Sequence, residues 1–225
     1  MLSTIRIEEK ILGKNDELAA LNRTRFDAAG VFVVTLSGSP GGGKTSLLER
    51  IVPRLAPGWR IAVVEGDVAT ERDGERIAAL GVPVAQIVTN GTCHLNAGMV
   101  ARAIDRVDLL DVDLLFLENV GNLVCPAAFG LGEHERVVVM GATEGEDKPL
   151  KYPAMFRRAD AMVLNKVDLA AFTPVDLDAF ETYARQVRPG LPVFRTSCTT
   201  DEGIEEWIAW LTDRRRSWRA LRSAS

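Results

Sequence analysis

A glycine-rich loop between a strand-like run and a helix-like run most constrains what this chain of 225 residues can fold into. Residues 31–37 (VFVVTLS) are apolar and β-branched, and residues 45–52 (TSLLERIV) have the apolar spacing of a helix. Residues 38–45 (GSPGGGKT), called here the phosphate-binding loop, join them and match the pattern G-x-x-x-x-G-K-[ST]. The sequence therefore predicts a strand, a phosphate-binding turn and a helix in succession.

The chemistry of such a loop follows from its residue types. Glycines let successive backbone N–H groups turn inward around phosphate oxygens, and the N-terminus of the following helix adds a favourable dipole. Lys44 is expected to contact the β- and γ-phosphates and the Thr45 hydroxyl to ligate Mg²⁺. The alternative is a glycine-rich connector without a ligand. The residues of this region predicted to bind nucleotide are Gly38, Gly41, Gly42, Gly43, Lys44, Thr45 and Ser46.

Strand-like and helix-like runs alternate along the rest of the chain, which predicts an α/β fold: a three-layer, doubly wound, mostly parallel sheet. We expect residues 1–28 to form a charged helical lead-in and residues 29–225 a single domain. The basic tail, residues 214–225, is expected to be a frayed, solvated helix end. Strands are predicted at residues 31–36, 61–65, 84–88, 114–118, 137–140, 161–165 and 193–196. Helices are predicted at residues 45–55, 74–80, 95–107, 176–188 and 203–214.

Composition narrows the class of protein. The 27 Lys and Arg residues are outweighed by 31 Asp and Glu residues, so the chain lacks the excess of basic residues that coats nucleic acid. No apolar run approaches the roughly 20 residues needed to span a bilayer. The charged N-terminal sequence MLSTIRIEEKILGKNDE has no continuous apolar stretch, which excludes a secretory signal. We therefore expect a cytoplasmic protein with neither nucleic-acid nor membrane partners.

A second pattern concerns the base of the nucleotide. Asn165-Lys166-Val167-Asp168 follows a predicted strand and has the form N-K-x-D. The Asp168 carboxylate can accept hydrogen bonds from N1–H and the 2-amino group of guanine, whereas adenine would leave that acceptor unpaired. Asn165 is expected to bond the other edge of the base and the Lys166 stem to lie over its ring. A backbone N–H of Ser197 or Cys198 could meet the guanine O6.

Acidic residues follow the predicted second and fourth strands, and the carboxyl ends of strands form the ligand crevice of doubly wound sheets. Glu118 is expected to act as the acid that holds Mg²⁺, and Asp67 belongs to the Mg²⁺ or water shell. The Gly121 N–H could sense the γ-phosphate. These acids could instead be solvated strand ends. No Gln follows Gly121 to orient the attacking water, because Asn122 stands there, so slow turnover is expected.

Two cysteines and a histidine also follow strands at this edge of the sheet. Cys93 and His94 are adjacent, and Cys125 lies shortly after the Glu118 strand. Thiolates and imidazole suit Ni²⁺ and Zn²⁺, but three donors fall short of the usual four-ligand structural zinc site. A second copy of the chain could complete the set. From the spacing alone, two buried free cysteines remain the favoured alternative.

The sequence resembles the HypB/UreG family of nickel-incorporation GTPases, and within it the hydrogenase-maturation branch, HypB. The resemblance covers most of residues 31–210, and the blocks that carry it include NGTCHLNAGMV, LFLENVGNLVCPAAFGLGE, ATEGEDKPLKYPAMFRRAD and LNKVDL. CHL together with ENVGNLVCPA is highly specific. It implies a GTPase of the signal-recognition/MinD-like (SIMIBI) class that dimerises with GTP. It also implies that Cys93, His94 and Cys125 hold nickel or zinc at the dimer interface.

The same resemblance implies the partners: a HypA-type nickel chaperone, other hydrogenase maturation proteins and the large subunit of [NiFe]-hydrogenase. Urease-type accessory GTPases usually carry Cys-x-His instead of the adjacent pair found here, and urease maturation stays an alternative. A nucleotide-gated interaction switch with structural cysteines is another. Since no Cys or His precedes Cys93, we expect no separate nickel site in the N-terminal part of this sequence.

Overall fold

The computed structural model describes residues 7–70 and 72–223. Residues 1–6 of the predicted lead-in and residues 224 and 225 of the predicted tail lie outside the described residues. Within the described part, one seven-stranded parallel sheet has the strand order β3-β2-β4-β1-β5-β6-β7. The strands are β1 (Phe32–Gly38), β2 (Ile61–Asp67), β3 (Val84–Val88), β4 (Leu114–Glu118), β5 (Glu135–Gly141), β6 (Ala161–Asn165) and β7 (Val193–Arg195).

The predicted parallel, doubly wound sheet is confirmed. Its central strands are buried on both faces, which explains why they appear as continuous apolar runs without alternation. β3, β4 and β6 have the predicted bounds, whereas β5 begins two residues earlier than expected, at Glu135. Glu135 was missed because a carboxylate seldom opens a buried strand; here Arg214 Nη2 lies 2.6 Å from Glu135 Oε1 and compensates the charge.

Helices cover both faces of the sheet. The five predicted helices are present with shifted ends, and the lead-in is helical from Ile7. Three short helices were not predicted, because each has only four or five residues and begins beside a proline. The helices are α1 (Ile7–Ala29), α2 (Lys44–Leu55), α3 (Arg72–Ala78), α4 (Ala97–Ile104), α5 (Cys125–Ala128), α6 (Lys148–Lys151), α7 (Pro153–Arg157), α8 (Leu177–Val187) and α9 (Ile204–Ser223).

The predicted tail is helical and not frayed over its described residues; most of them are exposed as expected, but Arg215 is buried and Trp218 half-buried. α9 continues to Ser223, and its last turns pack against the end of the sheet where β1 begins. The Trp218 ring lies 5.5 Å from Phe32 and 4.7 Å from His134, measured between ring centroids. Arg222 pairs with Asp27 of α1 at 3.1 Å. The basic composition predicts an exposed helix end and does not reveal this packing, because a helix rich in arginine can still bury one aromatic side.

α1 packs along α4. The buried Asn22 amide donates to the carbonyls of Ala97, at 2.9 Å, and Leu131, at 3.1 Å, while Phe26 is fully buried against the sheet. In addition, Asn15 Oδ1 accepts a hydrogen bond from the Ala97 N–H at 2.9 Å. The helix thus contributes buried contacts to the core. Among the described residues, no helix is both long enough and apolar enough to cross a bilayer.

Candidate nucleotide and metal site

A cavity of about 420 Å³ lies at the carboxyl ends of β1, β2 and β4. Backbone amides, two lysines, one arginine and several carboxylates line it, so it suits a phosphorylated ligand with a divalent cation. Residues that line this cavity include Gly41, Gly43, Lys44, Thr45, Ser46, Glu65, Asp67, Asp73, Arg76, Glu118, Gly121 and Lys166.

The phosphate-binding loop requires glycine at two positions. A Cβ on Gly38 would lie 2.0 Å from the Val139 carbonyl oxygen. Gly43 has φ of 96°, and a Cβ there would lie 2.3 Å from Asn165 Nδ2. α2 then begins at Lys44 without a side-chain cap, so its first amides are left for another acceptor. The loop is shaped to present backbone donors to an anion.

Lys44 is buried at the base of the cavity. Its Nζ donates to the Ser39 carbonyl at 3.3 Å. Burial lowers its pKa, while the carboxylates of Glu118 and Glu144 act in the opposite sense. An anion in the cavity would compensate the buried ammonium.

Thr45 and Glu118 meet, as expected of a magnesium site. Thr45 Oγ1 donates to Glu118 Oε1 at 2.7 Å, and Glu118 Oε2 is buried without a hydrogen-bond partner in the described part of the chain. Burial raises the pKa of Glu118 to about 7. A buried carboxylate oxygen without a donor is the group that a cation or its water would satisfy, so these residues fit Mg²⁺.

Three acidic residues at or near the end of β2 line the same cavity as Glu118. Ligand oxygens of Glu65, Asp67 and Asp73 all lie within 4.8 Å of one another. Burial opposes ionisation of Asp67, but hydrogen bonds from the Ala69 and Thr70 amides outweigh it and lower the pKa. Glu65 is only 1% exposed, and burial raises its pKa to about 8. Between Glu65 and Asp67, neutral pH therefore favours Asp67 in the ionised form.

The predicted base-binding residues lie beside the phosphate-binding loop. Lys166 has φ of 65° and lines the cavity, and Asp168 lies in the 3₁₀ segment Val167–Phe172. The Asn165 amide donates to the Gly42 carbonyl at 3.4 Å and accepts from Thr196 Oγ1 at 3.3 Å. Asn165 therefore ties the phosphate-binding loop to the chain after β7.

Ser197 and Cys198 differ in what they can offer a base. The Ser197 N–H already donates to the Glu202 carbonyl at 3.0 Å, and its hydroxyl accepts from the Thr199 and Thr200 amides. Cys198 N–H has no hydrogen bond within the described residues. Burial raises the pKa of the Cys198 thiol. The amide left available at this position is thus that of Cys198.

Cys93, His94 and Cys125, called here the metal cluster, converge within one chain. Cys93 Sγ lies 2.8 Å from Cys125 Sγ and 3.9 Å from His94 Nδ1. Because residues 90–94 form turns and bends, the adjacent Cys93 and His94 side chains reach the same point. Burial lowers the pKa of His94, and the hydrogen bond from Cys93 raises that of Cys125. Two thiols and an imidazole are a donor set that fits Ni²⁺ or Zn²⁺.

Sequence reasoning missed four groups in or beside the cavity. Glu65, Asp73 and Arg76 line it, and Arg76 pairs with Glu49 and Asp73, both at 2.7 Å. Glu144 Oε1 accepts from the Gly141 N–H at 2.7 Å next to the phosphate-binding loop. Glu65 had a usable signal, its place at the end of β2. The others come from a short helix and a loop whose orientation no local pattern fixes.

Comparison with known proteins gives the family of the chain. Residues 32–195 match the family model described as CobW/HypB/UreG, nucleotide-binding domain. The chain belongs to the CobW/HypB/UreG family. Hydrogenase maturation factor HypB from Azotobacter vinelandii is 54% identical to it over 211 residues, which are 94% of this chain and 70% of that protein. The resemblance seen in the sequence is thus confirmed.

Solved structures of similar proteins show which fold this CobW/HypB/UreG chain has. HypB from Helicobacter pylori, crystallised in complex with nickel, superposes with a TM-score of 0.86 and 36% identity, covering 91% of this chain and 96% of that one. Cell division protein FtsY from Thermotoga maritima shares the fold, with a TM-score of 0.56 and 18% identity over 74% of this chain and 62% of that one. The fold is therefore that of the P-loop nucleoside-triphosphate-binding proteins.

Proposed function

We propose that the protein is a GTP-hydrolysing metallochaperone that binds nickel and assists its insertion into [NiFe]-hydrogenase. The observation that carries this proposal is one short stretch, residues 118–125, called here the linking segment. It begins at Glu118, which bonds Thr45 in the nucleotide cavity, and ends at Cys125 in the metal cluster. A change at the phosphates therefore has a direct covalent route to a metal ligand.

Guanine selectivity is assigned to residues that follow β6 and β7. Asp168 accepts from N1–H and the 2-amino group, the Lys166 stem covers the ring, and the Cys198 N–H donates to O6. Ser197 and Asn165 hold the surrounding loops through their own hydrogen bonds. ATP would leave the half-buried Asp168 carboxylate without a hydrogen-bond donor once the bound base shields it from water, which is costly for a charged acceptor.

Hydrolysis transfers the γ-phosphoryl group of GTP to water, which breaks the bond to the β-phosphate oxygen and releases GDP and phosphate. Lys44 and the loop amides stabilise charge on the β- and γ-phosphate oxygens. Thr45, Asp67 and Glu118 would hold Mg²⁺, which neutralises the same charge, and the Gly121 N–H faces the γ-phosphate. The side chain of Asn122 is engaged elsewhere, so turnover is slow.

On the metal side, Cys93, His94 and Cys125 bind nickel as cargo, and zinc as a competitor. The three donors of one chain leave room for ligands from a second copy, so the proposal includes a GTP-dependent homodimer with the metal at its interface. Delivery then involves a HypA-type chaperone and the hydrogenase large subunit in the cytoplasm. Residues 29–225 act as one GTPase domain and residues 1–28 as its lead-in.

Convergence of the three donors counts against the alternative in which the cysteines are merely structural. A nickel titration of the wild type and of a Cys93→Ala/Cys125→Ala double variant tests this. The proposal predicts that the double variant loses nickel affinity but keeps GTP binding. If the double variant kept the nickel affinity of the wild type, the metal role would be excluded and the nucleotide-gated interaction switch would be the remaining function. A pulldown that recovers urease rather than hydrogenase accessory proteins would assign the delivery step to urease maturation.

A further inference from the structure

We infer that Asn122 is a positioning residue that transmits the state of the phosphate-binding loop to the metal cluster, an inference that rests on the proposed function. Asn122 is half-buried near the middle of the linking segment. Its backbone contacts the nucleotide side and its side chain contacts the metal side. No family pattern or catalytic expectation from the sequence assigns it this task.

The backbone of Asn122 is tied to the phosphate-binding loop. Its N–H donates to the Gly38 carbonyl at 2.8 Å, in an isolated bridge between these two residues. The preceding residue, Gly121, packs directly on Pro40, since a Cβ there would lie 2.8 Å from Pro40 Cα. The contact leaves no free space, so a displacement of the loop around a γ-phosphate must move the linking segment as well.

The side chain of Asn122 makes a hydrogen bond to the backbone at or next to each of the two cysteines of the metal cluster. Nδ2 donates to the Cys93 carbonyl at 3.3 Å, and Oδ1 accepts from the Val124 N–H at 2.8 Å. Val124 directly precedes Cys125. One amide group therefore holds the backbone next to both cysteines, whose sulfurs lie 2.8 Å apart.

Asn119 is the fixed counterpart of Asn122. It is only 1% exposed, and its Oδ1 accepts from the Leu95 N–H at 2.9 Å. Leu95 is fully buried and packs on Gly66 of β2. The chain after His94 is thereby anchored to the sheet core. The backbone beside Cys93 and Cys125 is instead held by Asn122, which is half-buried and belongs to the linking segment. This side of the cluster therefore moves with the linking segment.

Movement of the linking segment should change the geometry of the metal cluster. When the linking segment moves with the phosphate-binding loop, the Asn122 amide changes its separation from the Cys93 carbonyl, and the spacing of the two thiols changes with it. Nickel affinity then differs between the GTP-bound and GDP-bound states. By linkage, nickel must change nucleotide affinity by the same factor.

The test measures the ratio of the Ni²⁺ dissociation constants of the full chain loaded with GDP and with a non-hydrolysable GTP analogue. For the wild type we expect a ratio in the range of roughly 5 to 150, the usual size of such coupling. Asn122→Ala should bring the ratio close to one, with GTP affinity changed less than about threefold. Asn122→Asp keeps the acceptor for Val124 and replaces the donor to Cys93 with a carboxylate oxygen, which also adds a negative charge beside the cluster. That charge acts in both nucleotide states, so the ratio should fall similarly.

Asn96→Ala is the matched control. Asn96 lies two residues after His94 and caps α4 by accepting from the Met99 N–H at 2.9 Å, so this variant loses a local hydrogen bond without touching the linking segment. It should keep the wild-type ratio. A wild-type ratio in either Asn122 variant contradicts the inference alone. A ratio of one in the wild-type protein overturns the nucleotide gate itself, and with it this inference.

Discussion

Thr45 Oγ1 donates a hydrogen bond of 2.7 Å to Glu118 Oε1, and this contact joins the first turn of α2 to the carboxyl end of β4. Both side chains are almost fully buried, and Glu118 retains one oxygen without a partner among the described residues. Mg²⁺ would exchange this bond for coordination of both groups. The linking segment begins at the same glutamate, so Glu118 is the nucleotide end of the chain segment that leads to Cys125.

Asp168→Ala should weaken GTP binding by roughly 3 kcal/mol, because two guanine donors lose a charged acceptor. Asp168→Asn should shift preference toward xanthosine triphosphate, whose 2-oxo group needs a donor. Calorimetric titration with each nucleotide measures both effects. Asp213→Ala removes an exposed carboxylate of α9 that pairs only with Arg216 in the described structure, and it serves as the control. Equal GTP affinity in the wild type and Asp168→Ala would remove the guanine assignment.

Lys44→Ala should lower the rate of GTP hydrolysis by at least about 100-fold, because the charge on the β- and γ-phosphate oxygens loses its buried cation. Phosphate release under saturating GTP measures the rate. Lys151→Ala removes an exposed lysine that pairs with Asp147 on α6, and it should leave the rate unchanged. Wild-type turnover in Lys44→Ala would show that hydrolysis does not occur at this loop.

Thr45→Ala should raise the Mg²⁺ concentration needed for half-maximal hydrolysis, since a direct ligand is lost and Glu118 loses its hydrogen-bond donor. Thr45→Ser keeps the hydroxyl and is the matched control. A magnesium titration of turnover distinguishes the two. An unchanged magnesium requirement in Thr45→Ala would contradict the proposed coordination.

His134 predicts how stability depends on pH. Its Nδ1 accepts from the Val33 N–H at 2.9 Å and its Nε2 lies 3.0 Å from Asp27 Oδ1, so the neutral ring fits the site. Burial lowers its pKa from 6.5 to about 4, so in this interval the unfolded state binds more protons. The contribution of His134 to the free energy of unfolding should therefore fall by about 3 kcal/mol as pH drops from 6.5 to 4. The raised pKa values of Glu65 and Glu118 act in the opposite sense over the same interval, so the His134 contribution is measured against a variant that lacks it.

Chemical denaturation across this interval checks the prediction. Relative to His134→Gln, the wild type should lose about 3 kcal/mol of unfolding free energy over this interval, because the variant lacks the group that titrates. The Asp27 pKa is lowered from 3.8 despite the opposing effect of burial, through its hydrogen bond with His134, so loss of that carboxylate's contribution belongs below this interval. The same slope in the wild type and His134→Gln would assign the decline to other groups.

Much of the fold was predictable because buried parallel strands leave continuous apolar runs and the phosphate-binding loop fixes the junction of β1 and α2. Lys44 and Thr45 are predictable from the loop pattern, and Glu118 from its place at the end of a strand. The spacing of Cys93 and Cys125 alone favours buried free cysteines, and only the family resemblance implies a metal site there. The distances between these residues were not predictable. Convergence of Cys93 and His94 depends on turns at residues 90–94, which the sequence alone does not specify.

The failures have similar causes. The basic tail was expected in solvent, but Trp218 and Arg222 pack against His134 and Asp27, contacts between residues far apart in the sequence. Glu144 and Arg76 depend on the path of a loop and of a helix of seven residues. Local composition carries no information about such long-range packing.

Metal binding should also weaken as the solution is acidified. Thiolates and a neutral imidazole are the forms that bind metal, so uptake of Ni²⁺ or Zn²⁺ releases protons. Calorimetry in buffers of different ionisation enthalpy counts the protons released. Cys93→Ala and Cys125→Ala should each remove most of the metal affinity and of the proton release, with GTP binding intact. Metal uptake without proton release would contradict thiolate coordination.

The most direct test of the account compares Ni²⁺ affinity of the wild-type protein with GDP bound and with a non-hydrolysable GTP analogue bound, by calorimetry alongside sedimentation. We expect the analogue to change both metal affinity and dimer affinity, and GDP to loosen them. Metal should change nucleotide affinity by the same factor, typically about 1–3 kcal/mol of coupling. Identical metal affinity in the two nucleotide states, with a monomer throughout, would contradict the claim that GTP hydrolysis gates nickel release.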